Sequence, residues 1–307
     1  MNLYSTKTAI IIVTYNAKKW VDICLPPLYD IENFTIIVID NASRDETCSI
    51  IKKKYPNVHL IESKENLGFG KANNLGMRIA IDEDFDYVFL QNQDAAIDEK
   101  NLKKLIKAAQ SNSEFGIISP VHFKNDNEIE NLFTGYIKNT PFKHFDAQSE
   151  RLINADFINA ALWLLPIKTI REIGGFNPLF SHYGEDVDYV KRVNYFDYKL
   201  GFVEGAKAFH YRDYDMEKIR KESSQKRHFG PWHTKYYSLL TDVNKSSFSV
   251  FWHVSYLFLT SLAKHIVQFN FNSVKWDLKI FSDVILKMPY IYKINRKQIT
   301  QKGELFL

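Results

Sequence analysis

Apolar runs and polar breaks alternate along the first two thirds of the chain. Ala9-Ile10-Ile11-Ile12-Val13 is a continuous, β-branched run, the pattern of a strand covered on both faces. Thr35–Ile39 repeats it, and shorter runs at Val58–Ile61, Tyr87–Leu90 and Gly116–Val121 predict three more strands. Helices are predicted over Lys18–Leu25, stopped by Pro26-Pro27, and over Lys71–Ile81 and Asn101–Gln110. Another is expected after Ser43, with that residue as its cap and Asp45 and Glu46 in its first turn. Residues 122–153 lose periodicity and read as an irregular hairpin or mobile loop. Order returns with apolar Phe157–Leu165, then a helix Ile167–Ile173 ended by Gly174-Gly175. Asp186–Tyr195 reads as a helix, and Lys199–Phe209 as a strand or hairpin ending at His210. Three more helices are expected, a charged one over Glu217–His228, then Ser247–Phe269 and Ser273–Met288.

Strands alternating with helices predict an α/β fold with a mostly parallel sheet and right-handed crossovers. Ligands of such sheets bind beyond the carboxyl ends of the strands. Thr14-Tyr15-Asn16, Asp40-Asn41 and Gln91-Asn92-Gln93-Asp94 all fall there.

With 307 residues and 45% hydrophobic composition, the chain suits one large α/β domain with an appendage. Its two cysteines, Cys24 and Cys48, lack metal-binding spacing and argue against a disulfide scaffold or a zinc site. No secretory pattern opens the chain, so a cytoplasmic protein is expected. The net charge of +4 is uneven: residues 1–206 carry 23 Lys/Arg against 28 Asp/Glu, and residues 207–307 carry 17 against 8. An acidic body with a basic tail is not a uniformly basic nucleic-acid binder, and no nucleic-acid partner is expected. The tail suits phosphates, on a nucleotide or on a membrane surface. The cleanest apolar part of Ser247–Phe269 spans about 14 residues, short of the roughly 20 that cross a bilayer. It reads as an interfacial helix at the inner membrane face, or as a helix that forms a homodimer.

Several side chains could carry chemistry. Asp94, after a buried strand, can bind a hard cation or cap the next element. Asp40 suits a ribose hydroxyl pair or a base N–H, or a helix cap. Asn66-Leu67-Gly68-Phe69-Gly70-Lys71-Ala72-Asn73-Asn74 sets glycines and amides at a helix start, where phosphate is attracted, yet matches no dinucleotide or phosphate-loop fingerprint. Glu185, Asp186 and Asp188 crowd a helix start, where like charges can raise one pKa. His210 reads as a structural hydrogen-bonder or a metal ligand, and Trp163 as core or as a platform under a sugar ring.

Together these segments, in order over about residues 8–212, resemble the inverting glycosyltransferases of family 2, which have the GT-A fold; the closest flavour is the bacterial rhamnosyltransferase-like members that build surface polysaccharides. The carriers are Ile11–Asn16, Val38–Asp45, Asn66–Gly76, Leu90–Asp94, and Gly174-Gly175-Phe176-Asn177 through Glu185–Arg192. The resemblance implies a GT-A domain over residues 1–212, its nucleotide-sugar half about 1–121 and its acceptor half about 122–212, with a helical, basic extension over 213–307. It implies that Thr14, Tyr15 and Asn16 line the nucleotide pocket, with Asn41 and Gln93 beside them. Asp40 would hold the base or ribose, and Asn66, Gly70 and Asn73 would lie near ribose and diphosphate. Asp94 matches the last carboxylate of an Asp-x-Asp metal motif whose first position here is Asn92, and His210 a histidine that completes the site for Mg²⁺ or Mn²⁺. Asp186 matches the catalytic base, Glu185 lies on the acceptor side, and Trp163 frames the acceptor.

The implied reaction moves a sugar from a nucleotide-diphosphate sugar to a saccharide or lipid-linked saccharide. The alternative is a catalytically silent relative that binds a nucleotide-sugar or a partner glycosyltransferase. Nucleotidyl transfer would need a Gly-rich, Arg- and Lys-bearing loop after the first strand, which this chain lacks.

Overall fold

The computed structural model describes residues 6–180, 183–212, 229–292 and 296–307. Among the described residues nine strands form one sheet: β1 (Thr8–Thr14), β2 (Phe34–Asp40), β3 (His59–Glu62), β4 (Tyr87–Asn92), β5 (Ala95–Ile97), β6 (Phe115–Phe123), β7 (Leu152–Asn154), β8 (Leu162–Pro166) and β9 (Lys199–His210). Their order is β3-β2-β1-β4-β8-β6-β9-β5, with β7 also on β9. The parallel expectation holds for β3, β2, β1 and β4. Beyond them β8 inserts antiparallel between β4 and β6, so the sheet is mixed.

Seven helices accompany the sheet: α1 (Val21–Cys24), α2 (Thr47–Lys54), α3 (Phe69–Asp82), α4 (Glu99–Ser111), α5 (Asn131–Ile137), α6 (Ile167–Ile173) and α7 (Glu185–Tyr195). They cover both faces, which explains the continuous apolar runs. Along β1, Ala9 and Ile11 enter one core, and Ile10 and Ile12 the opposite one. On the first face α3 lies close to β1, because a Cβ on Gly76 would meet Ile11 Cγ2 at 2.7 Å. Asp98 caps α4 by accepting from Asn101 N–H at 2.7 Å.

Three expectations need correction. The first helix shrinks to Val21–Cys24, followed by a 3₁₀ turn at Pro26–Leu28. Ser43 does not cap α2, which starts at Thr47; its hydroxyl donates to Asp40 Oδ1 instead. Residues 122–153 are more ordered than a loop: β6 runs on to Phe123, and α5 and β7 follow.

Further on lie α8 (Phe229–Leu240), α9 (Ser247–Val267) and α10 (Phe271–Tyr290). They share a core that includes Phe180, Leu240, Val250, Val254, Ile280 and Val284. The charged helix expected over Glu217–His228 lies outside the described residues. Among the described residues no helix is long and apolar enough to cross a membrane. The last residues return to the sheet side of the molecule. Glu304 pairs with Arg78 at 2.7 Å and Arg171 at 2.9 Å, and Asn74 Nδ2 donates to the Phe306 carbonyl.

Candidate active site

The carboxyl ends of β1, β2 and β4 and the start of α3 open onto a cleft of about 680 Å³. Tyr15, Asn41, Asn66, Lys71, Gln93 and Asp94 line it on that side, and Pro178, Phe180 and Tyr183 face them. Local hydrogen bonds fix this wall. Gln93 accepts from Tyr15 N–H at 2.8 Å, joining the ends of β1 and β4. Asn41 accepts from Leu67 N–H at 3.2 Å and ties β2 to the loop before α3. Asn66 accepts from Gly68 N–H at 2.9 Å, shaping the turn into the helix. Lys71 is exposed beside the N-terminus of α3, where a cation and the N–H groups of a helix start favour an anion.

Other residues expected in the nucleotide pocket sit behind this wall. Asp40 is buried, and its oxygens accept from Thr14 Oγ1 at 2.8 Å, Ser43 N–H at 2.8 Å and Ser43 Oγ at 2.6 Å. The expectation that Asp40 meets a base or ribose therefore gives way: it pins the loops after β1 and β2. Thr14 is buried with it. Asn73 is buried and donates to Phe69 O at 2.9 Å, a bond within α3. Gly70 has its open side against the protein; a Cβ there would meet Phe176 Cβ at 3.1 Å and Glu185 Cβ at 3.9 Å. Asn16 is exposed, accepts from Arg44 N–H at 2.9 Å and does not line the cleft.

Asp94 and His210 come together from the end of β4 and the end of β9, with Asp94 Oδ1 3.6 Å from His210 Nε2. Asn92 Nδ2 lies 3.5 Å from the same nitrogen. His210 is buried, and behind it stand two residues that the sequence analysis missed, Glu130 and His122. Glu130 Oε2 lies 3.3 Å from His210 Nδ1. Arg212 Nε is 2.7 Å from Glu130 Oε1 and 3.2 Å from His210 Nδ1. The Arg212 Nε–H donates to His210 Nδ1, and Arg212 and Glu130 together hold that edge of the ring, so that Nε2 faces Asp94. Burial opposes ionising Glu130, but the histidine hydrogen bonds and the Arg212 charge outweigh it and hold the carboxyl down at about 2. Burial likewise disfavours the charged form of His210, yet Asp94 and Glu130 raise its pKa. His122 is pushed down to about 4 by burial and is neutral, 2.9 Å from Ser119 Oγ.

The ligating atoms of His122, Glu130 and His210 lie within 4.8 Å of one another, a spacing that fits one ion. The Arg212 guanidinium already occupies Glu130, so the cluster works better as a brace for His210. Asp94 lines the cleft and buried His210 stands directly behind it; one carboxylate and one imidazole make a donor set that would suit Mn²⁺.

The three carboxylates of α7 have different surroundings. Asp188 is buried and pairs with buried Arg192 at 3.0 Å, whose other nitrogens donate to Ile173 O and Gly175 O. Asp186 accepts from Val187 N–H at 2.8 Å; burial raises its pKa, opposed chiefly by backbone hydrogen bonds from Val187 and its neighbours and least by the Arg212 charge. Glu185 is 8% exposed, and its Oε2 has no partner among the described residues. Burial, helped by the neighbouring Asp186 charge, pushes it up to about 7. Trp163 needs correction: it is fully buried, stacked on Phe176 at 6.3 Å and packed on Tyr189, with no face left for a sugar.

A mixed sheet with antiparallel β8 beside β4, a polar cleft at the strand ends and acidic groups on a following helix define a glycosyltransferase of the GT-A class. The family model "Glycosyl transferase family 2" matches residues 9–174, and the chain belongs to that family. It is 25% identical over 226 residues to the low-salt glycan biosynthesis hexosyltransferase Agl10 of Haloferax volcanii, covering 70% of each chain. It is 30% identical over 121 residues to the dTDP-rhamnosyl transferase RfbF of Shigella flexneri, covering 38% of each. Among solved structures it resembles the mannosyltransferase PcManGT of Pyrobaculum calidifontis, in complex with GDP-Man and Mn²⁺. That match has a TM-score of 0.54 and 16% identity, and covers 94% of this chain and 89% of the other. The chain is a nucleotide-sugar-dependent glycosyltransferase.

Proposed function

We propose that this glycosyltransferase is an inverting, cation-dependent enzyme that passes a hexosyl or rhamnosyl unit to a saccharide, lipid-linked in the cell, during bacterial surface polysaccharide synthesis. The observation that carries the reading is the pairing of Asp94, on the cleft wall, with a His210 braced from behind by Glu130 and Arg212. Asp94 and His210 would hold Mg²⁺ or Mn²⁺, which supplies Lewis-acid stabilisation of the leaving diphosphate. Lys71 and the N-terminus of α3 add positive potential on the same wall. Tyr15, Asn41, Asn66 and Gln93 surround the nucleoside. Asp186 takes the proton of the acceptor hydroxyl as its oxygen attacks the anomeric carbon from the face opposite the leaving group. One displacement inverts that carbon. Glu185, whose Oε2 has no partner among the described residues and whose pKa is raised, orients the acceptor. The relatives' names, a glycan hexosyltransferase and a dTDP-rhamnosyl transferase, favour this substrate class.

The test is incubation with a panel of nucleotide-sugars and saccharide acceptors, following free nucleoside diphosphate and the anomeric coupling constant of the product. Release with inversion is expected. A product of retained configuration, or no release with any donor in the presence of Mn²⁺, would overturn the proposal.

A further inference from the structure

Helices α9 and α10 form a hairpin with two apolar faces, and among the described residues one of them is covered while the other is exposed. Inward, Val250 and Val254 of α9 meet Ile280 and Val284 of α10, and Phe258 stacks on Phe281 at 3.8 Å. On the opposite side of α9, Phe248, Trp252, Leu259 and Ile266 recur at helical spacing, each more than half exposed. Leu278, Ile285 and Leu286 continue this face on α10, and Phe269, 80% exposed, stands at the hairpin turn. A helix that is apolar all round belongs inside something.

The charges say what that is. Both acidic residues of the hairpin are engaged within it: Asp277 faces His265 at 2.7 Å and accepts from Ser261, and Asp283 pairs with Lys287 and accepts from Tyr237. Lys264, Lys275 and Lys279 are exposed. Aromatic and aliphatic side chains bordered by lysines match the headgroup zone of an anionic membrane. A two-fold pairing of this face with itself would set its lysines against one another. We propose that the outer face of the α9–α10 hairpin lies on the surface of an anionic lipid bilayer.

The hairpin is built onto the wall of the cleft. Phe180 belongs both to the hairpin core and to the cleft lining. Bilayer contact therefore brings the cleft mouth near the lipid surface, where a lipid-linked acceptor would sit. That consequence rests on the proposed function; the lipid contact itself does not.

The full chain is mixed with phosphatidylcholine vesicles, with or without phosphatidylglycerol, and floated on a density gradient at low and high salt. Flotation with the phosphatidylglycerol vesicles at low salt, weakened severalfold by high salt, is expected. The double variant Trp252→Ser/Leu259→Ser should reduce that partition by about tenfold or more. Unchanged nucleotide affinity would show that the variant is folded. Protein that stays at the bottom of the gradient with every vesicle overturns the proposal. So does a double variant that floats as before while its self-association, read by sedimentation velocity, is lost; a second copy would then be the occupant.

Discussion

Replacing Glu185 by Gln should change how stability depends on pH. The side chain is 8% exposed, one of its oxygens lacks a partner among the described residues, and burial moves its pKa from 4.5 to about 7. A tenfold change in proton affinity is worth about 1.4 kcal/mol, so ionised Glu185 costs the folded state on the order of 3 kcal/mol. The folded protein holds this proton more tightly than the unfolded chain. The associated stability is therefore fully present below the unfolded value of 4.5, falls as pH rises toward about 7, and is absent above it. Glutamine keeps the volume and removes the titration. The variant should be more stable than wild type by roughly 3 kcal/mol near pH 8, with the gain vanishing near pH 4. Urea unfolding followed by tryptophan fluorescence across that range measures the difference. A gain of the same size at every pH, or a loss at high pH, would refute the reasoning. A carboxylate kept at that cost fits a group reserved for an acceptor.

Three other substitutions separate the roles of neighbouring groups. Asp186→Asn should lower kcat by about a thousandfold, within the range of general-base catalysis, with nucleoside diphosphate affinity by calorimetry near wild type; near-normal turnover would remove Asp186 from the base role. Glu130→Gln should weaken Mn²⁺ binding by about ten- to a hundredfold, since the brace on His210 Nδ1 is lost, whereas unchanged affinity in a metal titration would leave Glu130 a purely structural ion-pair partner. Trp163→Ala should cost about 3–5 kcal/mol in urea unfolding, the signature of an emptied core site; an intact midpoint with a raised acceptor KM would restore it to the acceptor site.

The strands were legible because each face of the sheet is covered, which forces β-branched side chains into unbroken runs such as Ala9–Val13. Asp94 and His210 were legible because each is a polar residue that closes or follows an apolar strand run. The supporting residues were not. Glu130 lies in an aperiodic stretch, 80 residues before His210, and only the pairing of β6 with β9 brings that stretch beside it. Asp40 and Ser43 carried a helix-cap signal, but the tertiary bond from Thr14 and the direct Asp40–Ser43 bonds took both side chains. Trp163 lies in the apolar run Ala160–Leu165, and tryptophan in such a run defaults to core. The docking of the chain's end through Glu304 and Phe306 had no local periodicity to announce it.

The most direct test is a calorimetric titration of nucleoside diphosphate into wild type and Asp94→Ala, each with and without Mn²⁺. Wild-type affinity should rise sharply with the ion, and that rise should be absent in the variant while its metal-free affinity is retained. An equal rise in both proteins would mean that the diphosphate is held without the carboxylate at the end of β4, contradicting the account.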